Sequence, residues 1–294
     1  MHAVPMRALL LALLLLLAVP LHAAELRLVT WNIAWLTTRP AGDPMLPESV
    51  RPRAPADIAL LRGYAARLAA DVVALQEVEG PEAAALVFDR AQWRFFFPDE
   101  RDVQRAGFAV RRGIAARQNP DLAELDTAPR ARFSQRRGTD ITISHGGQEL
   151  RLLSIHLNSG CWGGPMEPQR DRNCATLARQ AEVLAGWIAA REAEGADWAI
   201  LGDFNRRMEH PRDEMTAILG AAGRFARPTR GQSNPCWADA RGGRSFISHI
   251  LLGGAARGWW RQGALEVVVY AERGRAYRQR LSDHCPIAVT LRLP

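Results

Sequence analysis

The chain has 294 residues, 48% of them hydrophobic and 23% charged, with a formal net charge of +7 at pH 7. That balance excludes a disordered polyelectrolyte and leaves enough apolar sequence for one large core. Every Lys or Arg position is Arg; this favours anionic partners, because guanidinium pairs with phosphate oxygens two at a time, although an Arg-, Ala- and Gly-rich base composition produces the same excess.

Arg7, the apolar run Ala8 to Leu21 and the small residues of His22-Ala23-Ala24 form the pattern of a secretory signal peptide. The run is shorter than the roughly 20 residues of a spanning helix. We therefore expect a leader over residues 1–24, one domain over 25–294, and a periplasmic or secreted protein. No linker or repeat divides the remainder. Leu26 to Trp31 alternates as a strand, Arg39 to Pro55 is a Pro-rich loop, and Ile58 to Ala70 has helical spacing with Asp57 as its N-cap. Asp71 to Leu75 reads as a buried strand that delivers Gln76 and Glu77. A short helix over Pro81 to Arg90 and strands over Trp93 to Phe97 and Gly107 to Arg111 follow. Thr139 to Ser144 and Leu150 to Ile155 form a hairpin around His145-Gly146-Gly147. Cys174 to Arg191 is the longest helix, and strands over Trp198 to Leu201, Ile247 to Leu252, Leu265 to Tyr270 and Pro286 to Leu293 complete the chain.

Four Cys in an exported chain imply two disulfides. Cys161 and Cys174 flank a short Gly/Pro-rich loop and are expected to pair, which leaves Cys236 with Cys285. Their spacing lacks the Cys-x2-Cys signature of a zinc site.

Asn32, Glu77, His156, Asp203, Asn205, Asp283 and His284 all fall at or near predicted strand ends, where packing fixes side chains and loops admit substrate. Singly, each is an ordinary loop or sheet residue. In this order they suit metal-assisted attack on a phosphate ester. Hard oxygen ligands hold Mg2+, which needs few protein ligands, and the ion offsets phosphate charge. Histidines and amides supply proton transfer and hydrogen bonds.

The segments Thr30-Trp31-Asn32, Leu75-Gln76-Glu77-Val78, Ser154-Ile155-His156-Leu157, Gly202-Asp203-Phe204-Asn205 and Ser282-Asp283-His284 together resemble the endonuclease/exonuclease/phosphatase superfamily. The resemblance spans nearly the whole mature chain. It implies an α/β (α+β) four-layer sandwich, two packed mixed β-sheets flanked by helices. It implies Glu77 as principal ligand of Mg2+ (Mn2+ or Ca2+ as alternatives), with Asn32 in the metal or phosphate shell. Asp203 would orient or deprotonate the attacking water, Asn205 would hold the phosphate or that water, and Asp283 would join the metal and water network. His284 would hydrogen-bond a phosphate oxygen, and His156 would protonate the leaving oxygen. One position departs from the pattern: Ser248, in Phe246-Ile247-Ser248-His249, stands where relatives carry the Asp that orients the last histidine. Serine accepts a hydrogen bond but brings no charge, so a lower pKa for His284 than in relatives is expected, or a substitute carboxylate such as Asp239.

The expected partner is a phosphate ester, foremost nucleic acid read without strong sequence preference, contacted by the Arg-rich stretches Arg130 to Arg137 and Arg273 to Arg280. Phospholipid is the alternative, with Trp259-Trp260 either at a membrane surface or packed in the sheet. A noncatalytic secreted binding protein keeping the fold is the third reading, opposed by the cost of burying paired acids without chemical use. A monomer is expected.

Overall fold

Period-two alternation in the strands builds two sheets that share one interior. The computed structural model describes residues 24–131, 135–167, 171–237 and 244–294. Residues 1–23 of the expected leader, part of the Arg130 to Arg137 stretch, and Asp239 lie outside them. The first sheet orders its strands β10-β11-β1-β2-β4-β3 and the second β5-β6-β7-β8-β9. Here β1 is Glu25–Leu36, β2 Val72–Val78, β3 Trp93–Phe96, β4 Gly107–Arg111 and β5 Ala115–Gln118. In the second half β6 is Thr139–His145, β7 Gln148–His156, β8 Trp198–Asp203, β9 Ser248–Gly253, β10 Trp260–Val267 and β11 Ile287–Arg292.

Each sheet contains one parallel pair, β1 with β2 and β7 with β8; the other pairings are antiparallel. Parallel neighbours need a crossover. Helix α1 (Pro55–Arg67) spans the first, and α3 (Arg172–Ala193) the second. The short α2 (Pro81–Ala85) follows β2, α4 (Glu214–Ala222) follows β8, and α5 (Arg275–Arg280) precedes β11.

Three apolar clusters define the layers. Leu26, Leu28, Val72, Ala74, Leu152, Ala199 and Leu201 meet between the sheets. Val29, Trp31, Val73 and Leu75 turn the other way, onto Leu61 and Leu68 beside α1. Leu153, Ile155 and Ile200 pack on Leu177, Leu184 and Ile188 of α3 and on Leu219 of α4. The result is the expected four-layer sandwich, helices on sheet on sheet on helices.

Local differences from the sequence reading have physical causes. Asp57 does not cap α1. Pro55 occupies its first turn, and Asp57 is buried and accepts from Arg280 Nε at 2.8 Å. Helix α2 ends at Ala85, and Phe88 packs edge-to-face on Trp93 at 5.2 Å. Strand β10 ends at Val267 because Tyr270 leaves the sheet to donate to the His284 carbonyl at 2.8 Å. The edge strand β5 and helices α4 and α5 carry too little periodic signal to stand out in the sequence. Trp259 is buried between the sheets and Trp260 packs beside it, so this pair is sheet packing. Both expected disulfides are present, Cys161 with Cys174 and Cys236 with Cys285. Among the described residues, no helix is long and apolar enough to cross a membrane.

Candidate active site

The face of β1 that presents Leu26 and Leu28 to the second sheet presents Thr30 and Asn32 further along. Strand β2 runs Val72, Ala74, Gln76; β7 runs Leu152, Ser154, His156; β8 runs Ala199, Leu201, Asp203. Apolar rungs thus give way to a polar rung. Thr30 donates to Gln76 Oε1 at 3.1 Å, and Gln76 Nε2 donates to Ser154 Oγ at 3.4 Å. One rung further on lie Asn32, His156 and Asp203. His156 and Asp203 are register partners across β7 and β8, and Asp203 pairs with Ser248 across β8 and β9.

Glu77 has the wrong parity for this face. Its φ of 56° turns the chain into the left-handed region, and Asn32 Nδ2 donates to its Oε1 at 2.9 Å. The same amide reaches Asp203 Oδ2 at 3.2 Å, so Asn32 ties a carboxylate of each sheet to one point. Its own Oδ1 accepts from the Ala34 N–H at 2.8 Å.

Asp203 is 1% exposed and is the hub of the cluster. His284 Nε2 lies 3.4 Å and His156 Nε2 3.9 Å from its Oδ2. Its Oδ1 accepts from the Asn205 N–H at 2.9 Å. Asn205, at φ 50°, donates through Nδ2 to the Leu157 carbonyl at 2.9 Å. His156 Nε2 is also 3.7 Å from Glu77 Oε1. Asp283 stands at the rim, its Oδ1 4.0 Å from His284 Nε2. The structure therefore gathers the sequence-predicted site residues around one point.

The loop carrying His284 is held on several sides. Its N–H donates to Ser282 Oγ at 3.0 Å, and that hydroxyl donates to the Asn32 carbonyl at 2.7 Å. Trp31 Nε1 donates to Tyr270 Oη at 2.9 Å, Trp237 Nε1 donates to the Ser282 carbonyl at 3.0 Å, and Cys285 is disulfide-bonded. Ser248 Oγ lies 3.2 Å from His284 Nδ1, so it takes the orienting position.

Burial pushes the carboxyls of Glu77 and Asp203 above the usual carboxylate range, against the hydrogen bonds from Asn32 and the charge of His284. Burial alone would lower His284; the charges of Asp203, Asp283 and Glu77 outweigh it and raise its pKa. These carboxylates favour the protonated ring where Ser248 brings no charge. Burial, helped by Arg136 and His284, pushes His156 well below the ordinary imidazole range, so it is neutral at pH 7.

Several functional neighbours escaped the sequence reading. Gln104, in the loop before β4, lies beside Glu77 and favours its charged form. Arg206 is buried, pairs with Asp213 at 2.7 Å and donates to the Cys161 carbonyl at 2.9 Å, which fixes the loop after His156. Arg206 adjoins Asn205 in sequence, a usable signal. Gln104 lies on an aperiodic loop and carries none.

Two hard carboxylates facing one point, both destabilised as anions by burial, fit a divalent cation. Among the described residues no group of three His, Cys, Asp or Glu is preformed for a metal.

The profile of the endonuclease/exonuclease/phosphatase family matches residues 29–284. The chain belongs to the endonuclease/exonuclease/phosphatase family. The match runs from β1 through His284 and so encloses every site residue. The family fold recurs in solved structures. Caenorhabditis elegans TDP2 in truncated form is 14% identical, over 92% of this chain and 99% of that one, with a TM-score of 0.58. D. rerio TDP2 complexed with single-strand DNA product is 17% identical, over 91% and 98%, at 0.57. A Bacteroides thetaiotaomicron mannosyl-6-phosphatase is 11% identical, over 90% and 98%, at 0.57. At these identities the likeness is one of fold. No curated protein sequence matches the chain.

Proposed function

We propose that the protein is a divalent-metal-dependent phosphodiesterase of nuclease-like type that hydrolyses its substrate by attack of water. The observation that carries this reading is the setting of Asp203: a buried carboxylate with a second acid, two imidazoles and an amide converging on it. A raised pKa makes it a better proton acceptor from water than an exposed carboxylate. Glu77 is the ligand for Mg2+, with Mn2+ or Ca2+ as substitutes, and Asn32 braces it. When bound, the ion polarises the phosphoryl oxygens and offsets their charge.

The protein's own groups do the rest. Asp203 orients the water and takes its proton, and Asn205 holds the neighbouring polar atoms. His284, whose protonated form the surrounding carboxylates favour and which Ser248 aims, stabilises charge on the phosphate. Neutral His156 turns Nε2 into the same cluster, 3.9 Å from Asp203 Oδ2, where it serves as a hydrogen-bond partner on the leaving side. Asp283 completes the rim. The two disulfides support a home in an oxidising compartment, periplasmic or extracellular.

The test is hydrolysis of plasmid DNA, RNA, sphingomyelin and bis-p-nitrophenyl phosphate with Mg2+ and with EDTA. Asp203→Ala is expected to lower turnover by at least about a hundredfold, and EDTA to abolish it. Folded, metal-supplied wild type that cleaves none of these would sink the phosphodiesterase reading.

A further inference from the structure

Beside Glu77 and Asp283 lies a cleft of about 500 Å³ that the catalytic cluster does not fill. Arg51 and Arg53 enter it from the Pro-rich loop before α1, and Arg275 and Arg278 from α5. Trp35 also lines it, and also lines a second cleft of about 730 Å³ on its other side. The two clefts differ in charge. The second mixes Arg residues with Asp99, Glu100, Asp102 and Asp126. In the first, the acids among the described residues are the two that belong to the catalytic cluster. An anionic chain leaving that cluster is therefore drawn to the arginine side.

Trp35 itself is held in an unusual backbone conformation. Ala34 and Trp35 have φ of 44° and 60°, a region that bulky residues rarely adopt, and pairing of β1 with β2 shifts register here. Arg53 secures the bend: its Nη2 donates to the carbonyls of Ile33 at 3.1 Å, Ala34 at 2.6 Å and Leu281 at 2.9 Å. The guanidinium thus joins the bend that carries Trp35 to the loop of His284. Arg278 lies over the Trp237 ring at 5.3 Å, which steadies it beside the cleft. Arg51 and Arg275 are exposed. A strained aromatic residue standing between two clefts, with guanidiniums beside it, is the chemistry that recognises a nucleotide: a flat base and an anion attached to it.

We infer that this cleft is a nucleotide subsite of single-stranded nucleic acid, in which the arginines take the phosphate next to the scissile one and Trp35 stacks its base. The inference rests on the phosphodiesterase reading for the scissile bond itself. It separates the substrate from a phosphocholine lipid, which has one phosphate, no aromatic base and a cationic headgroup.

The test compares a fluorescein-labelled thymidine tetranucleotide with bis-p-nitrophenyl phosphate, which lacks a second phosphate. In Arg51→Gln/Arg275→Gln, kcat/KM for the tetranucleotide should fall at least about tenfold further than for the small diester. Binding is measured on the Asp203→Asn background. There the double variant should flatten the dependence of log K on log salt by about 0.7, the value for one phosphate no longer neutralised on a single strand. Trp35→Leu should weaken tetranucleotide binding about tenfold, and Trp35→Phe should restore most of it. Equal losses on both substrates, an unchanged salt slope, or full-affinity binding by Trp35→Leu would overturn the subsite. Should wild type leave the tetranucleotide, the small diester and the rest of the substrate panel intact, the phosphodiesterase reading fails, while the binding data still decide the subsite.

Discussion

His249 shows how firmly the residues behind the cluster are set. It follows Ser248, is 1% exposed, and packs edge-to-face on Phe204. Its Nε2 donates to the Arg206 carbonyl at 2.9 Å, so Nδ1 is the acceptor for the Thr229 hydroxyl at 2.7 Å. Burial lowers its pKa from 6.5 to about 3. The unfolded chain therefore binds a proton below pH 6.5 that the folded chain refuses until about pH 3, and stability falls as pH falls through that window. Between about pH 7.5 and pH 5 wild type should lose about 2 kcal/mol more than His249→Gln, read by urea unfolding at both pH values. Equal losses would mean that the ring is charged in the fold. At this scale the sequence was informative about identity and less so about direction. Asn32, His156 and Asp203 follow the alternation of their strands, so their convergence was legible. Glu77 does not, and its positive φ returns it to the cluster, just before Val78 and Glu79 bond to the Arg105 and Leu36 carbonyls. Ser248 was legible as a departure. That Asp203, Asp283 and Glu77 favour the charge on His284 was not, because it depends on distances between strands far apart in the chain.

Among the elements, the parallel pair of β7 and β8 sets the tightest tolerance. A Cβ placed on Gly202 would collide with the Ile155 carbonyl of the neighbouring strand. Backbone cannot yield as a side-chain tip does, so Gly202→Ala should cost about 2 to 3 kcal/mol and shift the urea midpoint accordingly. It should also lower turnover beyond what the stability loss explains, because His156 and Asp203 are the next register pair. A variant as stable and active as wild type would show that the strands can part there without consequence. Strands with clear alternation were read nearly to their ends, as was α3, whose apolar face repeats over its whole length and whose start is capped by Asp171. Strand β5 and helix α5 were not. The first is a four-residue edge strand with mostly exposed side chains, and the second has no buried residue. Neither owes its form to a local pattern; each is held by what it lies against.

Taken whole, the molecule is two similar halves. Each supplies a sheet, a crossover helix and one parallel strand pair whose carboxyl ends face the same rim. The first half contributes Asn32 and Glu77, the second His156 and Asp203, and the loop from β10 to β11 brings His284. No half holds a working set alone. The hydrogen bond from Asn32 to Asp203 crosses the seam between the sheets at 3.2 Å. Side chains such as Leu28, Val72, Leu152 and Leu201 keep that seam closed below it. In the mechanism proposed above, catalysis therefore works as a ruler for the spacing of the sandwich. Widening by a single ångström, too little to disturb a strand, would part the ligand carboxylate from the water-activating one. Turnover should then fade in urea before far-ultraviolet circular dichroism changes, and coincident losses would show the two halves opening only as they unfold. Rigidity in this protein would serve alignment first, and durability second.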